Sequence, residues 1–399
     1  TFNKFTYNDV FIMVELYSQS MIRQNIVAND KVLILLDNSI ELVETIYACF
    51  EIGVIAVPIS PKLTDSELEK IINLIDPKLI ITNWIFQKRL LRLKFPISSI
   101  EEMFQSSRGC SNVKNNYQFN KDDIAIIILT SGTTGLPKAV QLTYQNFEIS
   151  CSNWNNFLNF YDSDQFLCCL PLYHIGGLAV LIRGLIYGFS INLITKFEAE
   201  VVLETIKGYP VSIISLVPTM LKRILDLPRA LESLKTIRWI LLGGGPCPEY
   251  LLDICIEQKL NIVKVYGMSE TCSGTVGLKL LEEPHNKHYA GRPFIDAKVW
   301  SEKGEIFISG PMVMKGYLGK MDVDSVHNSH DLGRVDNNLV FIDIRRKDLI
   351  ISGGENINPI EVEEALMSID KIIDAAVVGK SDDEWGQMVI AYIVYNDSN

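Results

Sequence analysis

Short continuous apolar runs alternate along the chain with longer segments in which apolar positions recur every three or four residues. Val32–Leu36, Val54–Ile59 and Leu79–Thr82 read as buried strands, and Ser39–Glu51 and Asp65–Asp76 as the helices between them. This alternation predicts βα units around a largely parallel sheet. Thr64 with Glu67 three residues on spells a capping box, in which each side chain satisfies a backbone N–H of the other, so a helix is expected to start there. The pattern returns after Cys151. Val211–Val217, Trp239–Leu242 and Ile262–Val265 are its strands, and they predict a second sheet related to the first and packed on it. From about Lys298 the texture changes to glycine-punctuated strands, Gly304–Gly310 and Leu339–Ile344, which predict a small antiparallel region. Beyond Lys347, Pro359–Ser368 reads as a helix with its proline in the first turn, flanked by strands Ala375–Val378 and Val389–Val394. No internal repeat or low-complexity tract interrupts the sequence. The expected fold is α/β. Residues 1–346 form a large N-terminal domain of two packed βα sheets plus a small β region; after a hinge, residues 347–399 form an incomplete small α+β domain.

The 399 residues, 48% of them hydrophobic, suffice for more than one core. With 48 acidic against 37 basic residues the net charge is -11, which disfavours a nucleic acid as partner. Eight cysteines are scattered without a Cys-x-x-Cys pair, a usage that suits reduced core thiols in a cytoplasmic protein. The longest apolar stretch, Leu178 to Ile182, is cut off by Arg183, far short of the ~20 residues of a membrane span. The chain opens at Thr1 with neither a methionine nor a leader, so its natural start is expected to lie further upstream.

The strongest chemical signal is the buried strand Ile124–Thr130 running into Ser131-Gly-Thr-Thr-Gly-Leu-Pro-Lys138. Gly132 and Gly135 allow close backbone approach to phosphate oxygens. Thr130, Ser131, Thr133 and Thr134 offer hydroxyls, and Lys138 supplies a point charge. Together they make a phosphate cradle, against the bland reading of a polar turn after a strand. The loop is no Walker A motif, since Pro137 precedes the lysine and Ala139 follows it where Ser or Thr would hold magnesium. His327, His330 and Asp331, or His285 and His288, raise a metal site as an alternative, but neither set has a third well-spaced ligand.

The cradle resembles the phosphate-binding loop of the acyl adenylate-forming superfamily, and later segments match in the superfamily's order over nearly the whole chain. Tyr266-Gly-Met-Ser-Glu270 is similar to its adenine and magnesium motif; the resemblance implies that Tyr266 stacks on adenine, Ser269 keeps a hydroxyl where threonine is usual, and Glu270, with Thr134, takes Mg2+. Gly243, Gly244 and Gly245 resemble the loop along the adenine and acyl groups. Asp331 falls where the family holds both ribose hydroxyls, with His330 in place of a glycine, and Arg345 resembles the ribose-binding arginine. Lys347 occupies the hinge position, Gly353, Gly354, Glu355 and Asn356 the thiol channel for coenzyme A, and His174 the gate between acyl pocket and thiol tunnel.

What the resemblance implies is a ligase with ATP, Mg2+ and coenzyme A as cofactors and a small carboxylic acid as substrate; a homodimer is compatible with it. A carboxylate attacks the α-phosphorus of ATP, pyrophosphate leaves, and a thiol then displaces AMP. Lys138 and Glu270 would act on phosphate charge. The superfamily's C-terminal domain ends in a second lysine that contacts the α-phosphate. The sequence stops at Asn399 before it, so either a fragment or an impaired first half-reaction is expected. Leu170–Leu178, Leu242–Pro246, Arg345–Asn356 and Asp383–Gln387 most resemble the 2-succinylbenzoate-CoA ligases of menaquinone biosynthesis. Other aromatic or medium-chain acyl-CoA ligases, a carrier-loading adenylation domain and an inactive nucleotide-binding remnant stay open as alternatives. Arg223, on a helix entered from the strand before Pro218, is expected to read the succinyl carboxylate of such a substrate bidentately, against the bland reading of a solvated charge.

Overall fold

The computed structural model describes residues 3–93, 95–107, 113–130, 137–320, 325–345, 350–352, 355–369, 371–382 and 386–395. Two seven-stranded sheets share one plan. In the first, Lys31–Ile34, Ile55–Pro58, Leu79–Thr82, Ile97–Ser99 and Ile124–Thr130 run parallel, and Lys138–Thr143 and Gly316–Tyr317 add an antiparallel edge. In the second, Gln165–Cys168, Ser190–Leu193, Ile213–Leu216, Trp239–Leu242 and Ile262–Met268 run parallel, edged by antiparallel Ser273–Lys279 and Arg292–Pro293.

Alternate side chains of a strand point to opposite faces. Val32 and Ile34 therefore enter the central core, while Leu33 and Leu35 enter a separate core on the outer face of the first sheet. Ile213 and Leu241 face the same central core from the second sheet, and Ile214, Ile240 and Leu242 its outer face. Helices Ile40–Glu51, Tyr144–Leu158 and Ile175–Tyr187 contribute Ile46, Trp154 and Leu178 to the layer between the sheets. Strands buried on both faces are apolar at every position, which is why they appear as unbroken runs.

Lys298–Glu302, Glu305–Ser309, Val326–Asp336 and Leu339–Arg345 form the antiparallel region. Its two tight hairpins turn at Lys303-Gly304 and Asn337-Asn338, all four with positive φ, as the twist-matched two-residue turn requires. At the C-terminal end, helix Pro359–Met367 packs on the hairpin Ile372–Asp382 and Gly386–Tyr395, which is joined by Ile350–Ser352 and Glu355–Ile357. The seven described cysteines are free, six of them buried. Among the described residues no helix is long and apolar enough to cross a membrane.

Candidate active site

Strand ends from both sheets open onto a cavity of about 1010 Å³. Thr130 ends a strand of the first sheet. Leu170 with Pro171, Leu216 with Val217, Gly243 with Gly244, and Met268 to Glu270 end or follow strands of the second. The carboxyl ends of parallel strands are where α/β sheets hold ligands, since rigid strands there hand over to loops and helix starts. Gly244 has φ +83°, and a Cβ on it would approach Val217 Cγ1 to 3.1 Å, so this turn depends on glycine.

One set of lining groups is charged or hydrogen-bonding. Lys138 stands at the start of its strand, opposite Thr130, with its Nζ 5.1 Å from the centre of the Tyr317 ring. The Tyr317 hydroxyl donates to Glu270 Oε1 at 2.8 Å. The Tyr266 hydroxyl donates to Oδ2 of the buried Asp331 at 2.7 Å. His330 adopts φ +58°, so the backbone keeps a left-handed bend in spite of its side chain. Ser269, Ser329 and the buried His327 complete this set. Burial chiefly holds the His327 imidazole below its ordinary pKa, with Glu270 acting the other way.

A second set is mostly apolar. His174 precedes helix Ile175–Tyr187, makes no side-chain capping bond and faces the cavity; burial lowers its pKa, so the imidazole is neutral at neutral pH. Two turns on, Arg183 lines the same cavity at 2% exposure. Its Nη2 donates to Ser273 Oγ at 2.9 Å and its Cζ lies 4.4 Å from the centre of the Trp154 ring, while Nε has no hydrogen-bond partner. No carboxylate among the described residues pairs with it. Burial brings its pKa down to about 10, which leaves it charged at neutral pH.

Thr130, Lys138, His174, Gly243, Gly244, Ser269, Glu270 and Asp331 thus line one cavity, and Tyr266 reaches it through Asp331. Gly245 is exposed beside it. Ser131, Gly132, Thr133, Thr134, Gly135, Lys347, Gly353 and Gly354 lie outside the described residues, as do the side chains of Arg345, Glu355 and Asn356. The backbone of Arg345 pairs with Asp331. The expectation for Arg223 is corrected: helix Pro218–Leu225 turns Leu221 and Ile224 into the core and Met220 into the cavity, leaving Arg223 exposed and outside the lining. The buried cation of the cavity is Arg183. Its signal in the sequence is the single charge that interrupts an apolar helix.

A magnesium ion coordinates one or two carboxylates together with substrate phosphates, and Glu270, facing the cavity without a cationic partner among the described residues, fits that donor set. Among the described residues no three His, Cys, Asp or Glu side chains gather as ligands on their own. His288 instead pairs with Glu249 at 2.5 Å.

Residues 1–318 match the family model of AMP-binding enzymes, and residues 361–399 that of the AMP-binding enzyme C-terminal domain. The chain is 34% identical to 2-succinylbenzoate-CoA ligase of Bacillus cytotoxicus over 91% of its own length and 78% of the relative's. It is 37% identical to the enzyme of the same name from Bacillus licheniformis, over 92% and 79%. Among solved structures, o-succinylbenzoate CoA synthetase from Bacillus subtilis in complex with the acyl-adenylate intermediate superposes with a TM-score of 0.90 at 32% identity, covering 100% of this chain and 85% of that one. The same enzyme in complex with ATP and magnesium superposes at 0.86, with 32% identity over 98% and 84%. On this match of sequence and architecture, the chain belongs to the AMP-binding enzyme family.

Proposed function

We propose that the protein is an AMP-forming acid-thiol ligase that adenylates 2-succinylbenzoate and transfers the acyl group to coenzyme A. The observation that carries the substrate reading is Arg183, a charged guanidinium sealed in the cavity, whose Nε finds no hydrogen-bond partner and which finds no carboxylate to pair with among the described residues. A buried cation without a counter-charge is costly, and a dicarboxylic acid supplies what is missing. One carboxylate reacts while the other takes the guanidinium fork. The relatives and the superposed structures named for this substrate support the same reading.

In the first half-reaction a substrate carboxylate oxygen bonds to the α-phosphorus and the bond to pyrophosphate breaks. Lys138 balances charge on the phosphate oxygens, and Glu270, with Thr134, would hold a magnesium ion, which would supply further neutralisation. The loop from Thr130 to Gly135 cradles phosphate, Tyr266 and Gly243 to Gly245 flank the adenine, and Asp331 with Arg345 takes the ribose. In the second half-reaction the coenzyme A thiol attacks the carbonyl carbon and AMP leaves. Residues 347–399 act as a lid turning about Lys347, Gly353 to Asn356 line the thiol channel, and neutral His174 gates it. A cytoplasmic location suits a reaction that draws on ATP and coenzyme A.

Pyrophosphate release across a panel of acids tests this reading. The protein should prefer 2-succinylbenzoate over analogues lacking one carboxylate by on the order of a hundredfold to a thousandfold in kcat/KM, the scale of a buried charge left unpaired. Arg183→Gln should lose most of that preference and Arg183→Lys keep part of it. Equal turnover of monoacids by the wild type, or an undiminished preference in Arg183→Gln, would overturn it.

A further inference from the structure

Lys138 and Glu270 carry opposite charges and line one cavity, yet among the ion pairs of the described residues none joins them. Tyr317 touches both. Its ring lies under Nζ of Lys138 and its hydroxyl donates to Glu270 Oε1. The backbone fixes it there. Gly316–Tyr317 pairs with the strand that Lys138 begins, with Lys315 N–H donating to Gln141 O and Leu318 N–H to Ala139 O. On the other side, Met314 N–H donates to the carbonyl oxygen of Glu270 at 2.8 Å. One short segment therefore binds the lysine's strand to the turn that carries the carboxylate.

We infer that Tyr317 is a positioning residue: it holds Lys138 and Glu270 apart so that the ammonium stays available to phosphate and the carboxylate to magnesium. A direct pair between the two would neutralise both charges before substrate arrives. A ring face and a neutral hydroxyl satisfy each group while leaving its full charge in place. The inference rests on the roles proposed for Lys138 and Glu270, and the controls below separate its failure from theirs.

Calorimetric binding of ATP with and without Mg2+, and of AMP alone, reads the effect without turnover. Tyr317→Phe keeps the ring and loses the hydroxyl, and should cut the magnesium-dependent gain in ATP affinity by about tenfold, the scale of one charge-assisted hydrogen bond. Tyr317→Leu loses both contacts, lets lysine and glutamate pair, and should abolish most of that gain. AMP, which carries neither β- nor γ-phosphate, should bind both variants within about twofold of the wild type, since a twofold change is less than one ordinary contact. A magnesium-dependent gain in Tyr317→Leu equal to that of the wild type would overturn the inference, as would loss of AMP and ATP affinity by the same factor, the mark of mere packing. If Lys138→Ala and Glu270→Ala also leave the gain unchanged, the roles proposed for those two residues fall as well. If those controls lose it and Tyr317→Leu does not, Tyr317 alone is misassigned.

Discussion

A guanidinium offers five N–H donors, and Arg183 has one hydrogen bond and one aromatic face to meet them. Lys138 and Glu270, which we propose act on charge that arrives with substrate, also line the cavity, and neither belongs to a core. Lys138→Ala and Glu270→Ala should each slow pyrophosphate release by roughly tenfold to two-hundredfold, the kinetic equivalent of about 1.5 to 3 kcal/mol, with far-ultraviolet circular dichroism unchanged. Wild-type rates in either variant would remove that residue from the adenylation step. Glu44 presents the opposite case, a buried acid away from the cavity. Burial first, and the neighbouring Glu41 second, raise its carboxyl to about 8. The folded protein therefore holds a proton that the unfolded chain releases near pH 4.5, so stability falls as pH rises between those values. Glu44→Gln should raise the melting temperature at pH 8 and change it little at pH 4.5. A pH-independent difference would show that Glu44 does not titrate in this window.

Helix Asp65–Ile75 begins where its sequence says. Thr64 Oγ1 accepts from the Glu67 N–H, and the Glu67 carboxylate accepts from the Thr64 N–H at 2.7 Å. Thr64→Ala should cost about 1 kcal/mol, read as roughly fivefold faster hydrogen exchange at the first-turn amides; unchanged exchange would mean that packing of Leu68 and Ile71 alone sets this end. Elements with such local marks were legible, as were several strands buried on both faces, though Gln165–Cys168 was not. Trp239–Leu242 and Leu79–Thr82 begin and end at the residues their apolar runs indicate. Helix Tyr7–Arg23 escaped notice because exposed Phe11 and Ile12 blur its apolar stripe. Strand Ile372–Asp382 extends well past Ala375–Val378, since hairpin pairing carries polar residues that have no apolar signal. Residue type suggests a carboxylate partner for Arg223, whereas in the structure Met220, one turn nearer the strand end, lines the cavity and Arg223 lies exposed outside it.

At the scale of the molecule, two related and largely parallel sheets were readable from the pattern alone, but their antiparallel edges and which strand ends meet were not. Thr130 and Lys138 stand at strand ends of the first sheet, while Glu270 and the glycine turn follow strands of the second, and only packing of the two sheets brings Lys138 and Glu270 into one cavity. That packing has a chemical consequence. In the proposed mechanism the groups that handle phosphate charge, Lys138 and Glu270, are separate from His174 and Arg183, which face the acyl part of the cavity. The two half-reactions should therefore differ in their need for magnesium. Pyrophosphate departs only in the first, so the charge that Glu270 and its metal neutralise is absent when the thiol attacks a preformed adenylate. With a chelator in excess, pyrophosphate release from ATP and 2-succinylbenzoate should fall by at least about a hundredfold, the scale of losing a metal's stabilisation of several kcal/mol. Conversion of synthetic acyl adenylate and coenzyme A to thioester should stay within about threefold of its rate with magnesium, less than the tenfold that 1.36 kcal/mol in the barrier would make. Equal sensitivity of both steps to chelation would place the metal at the thiol step as well, and with it a second role for Glu270.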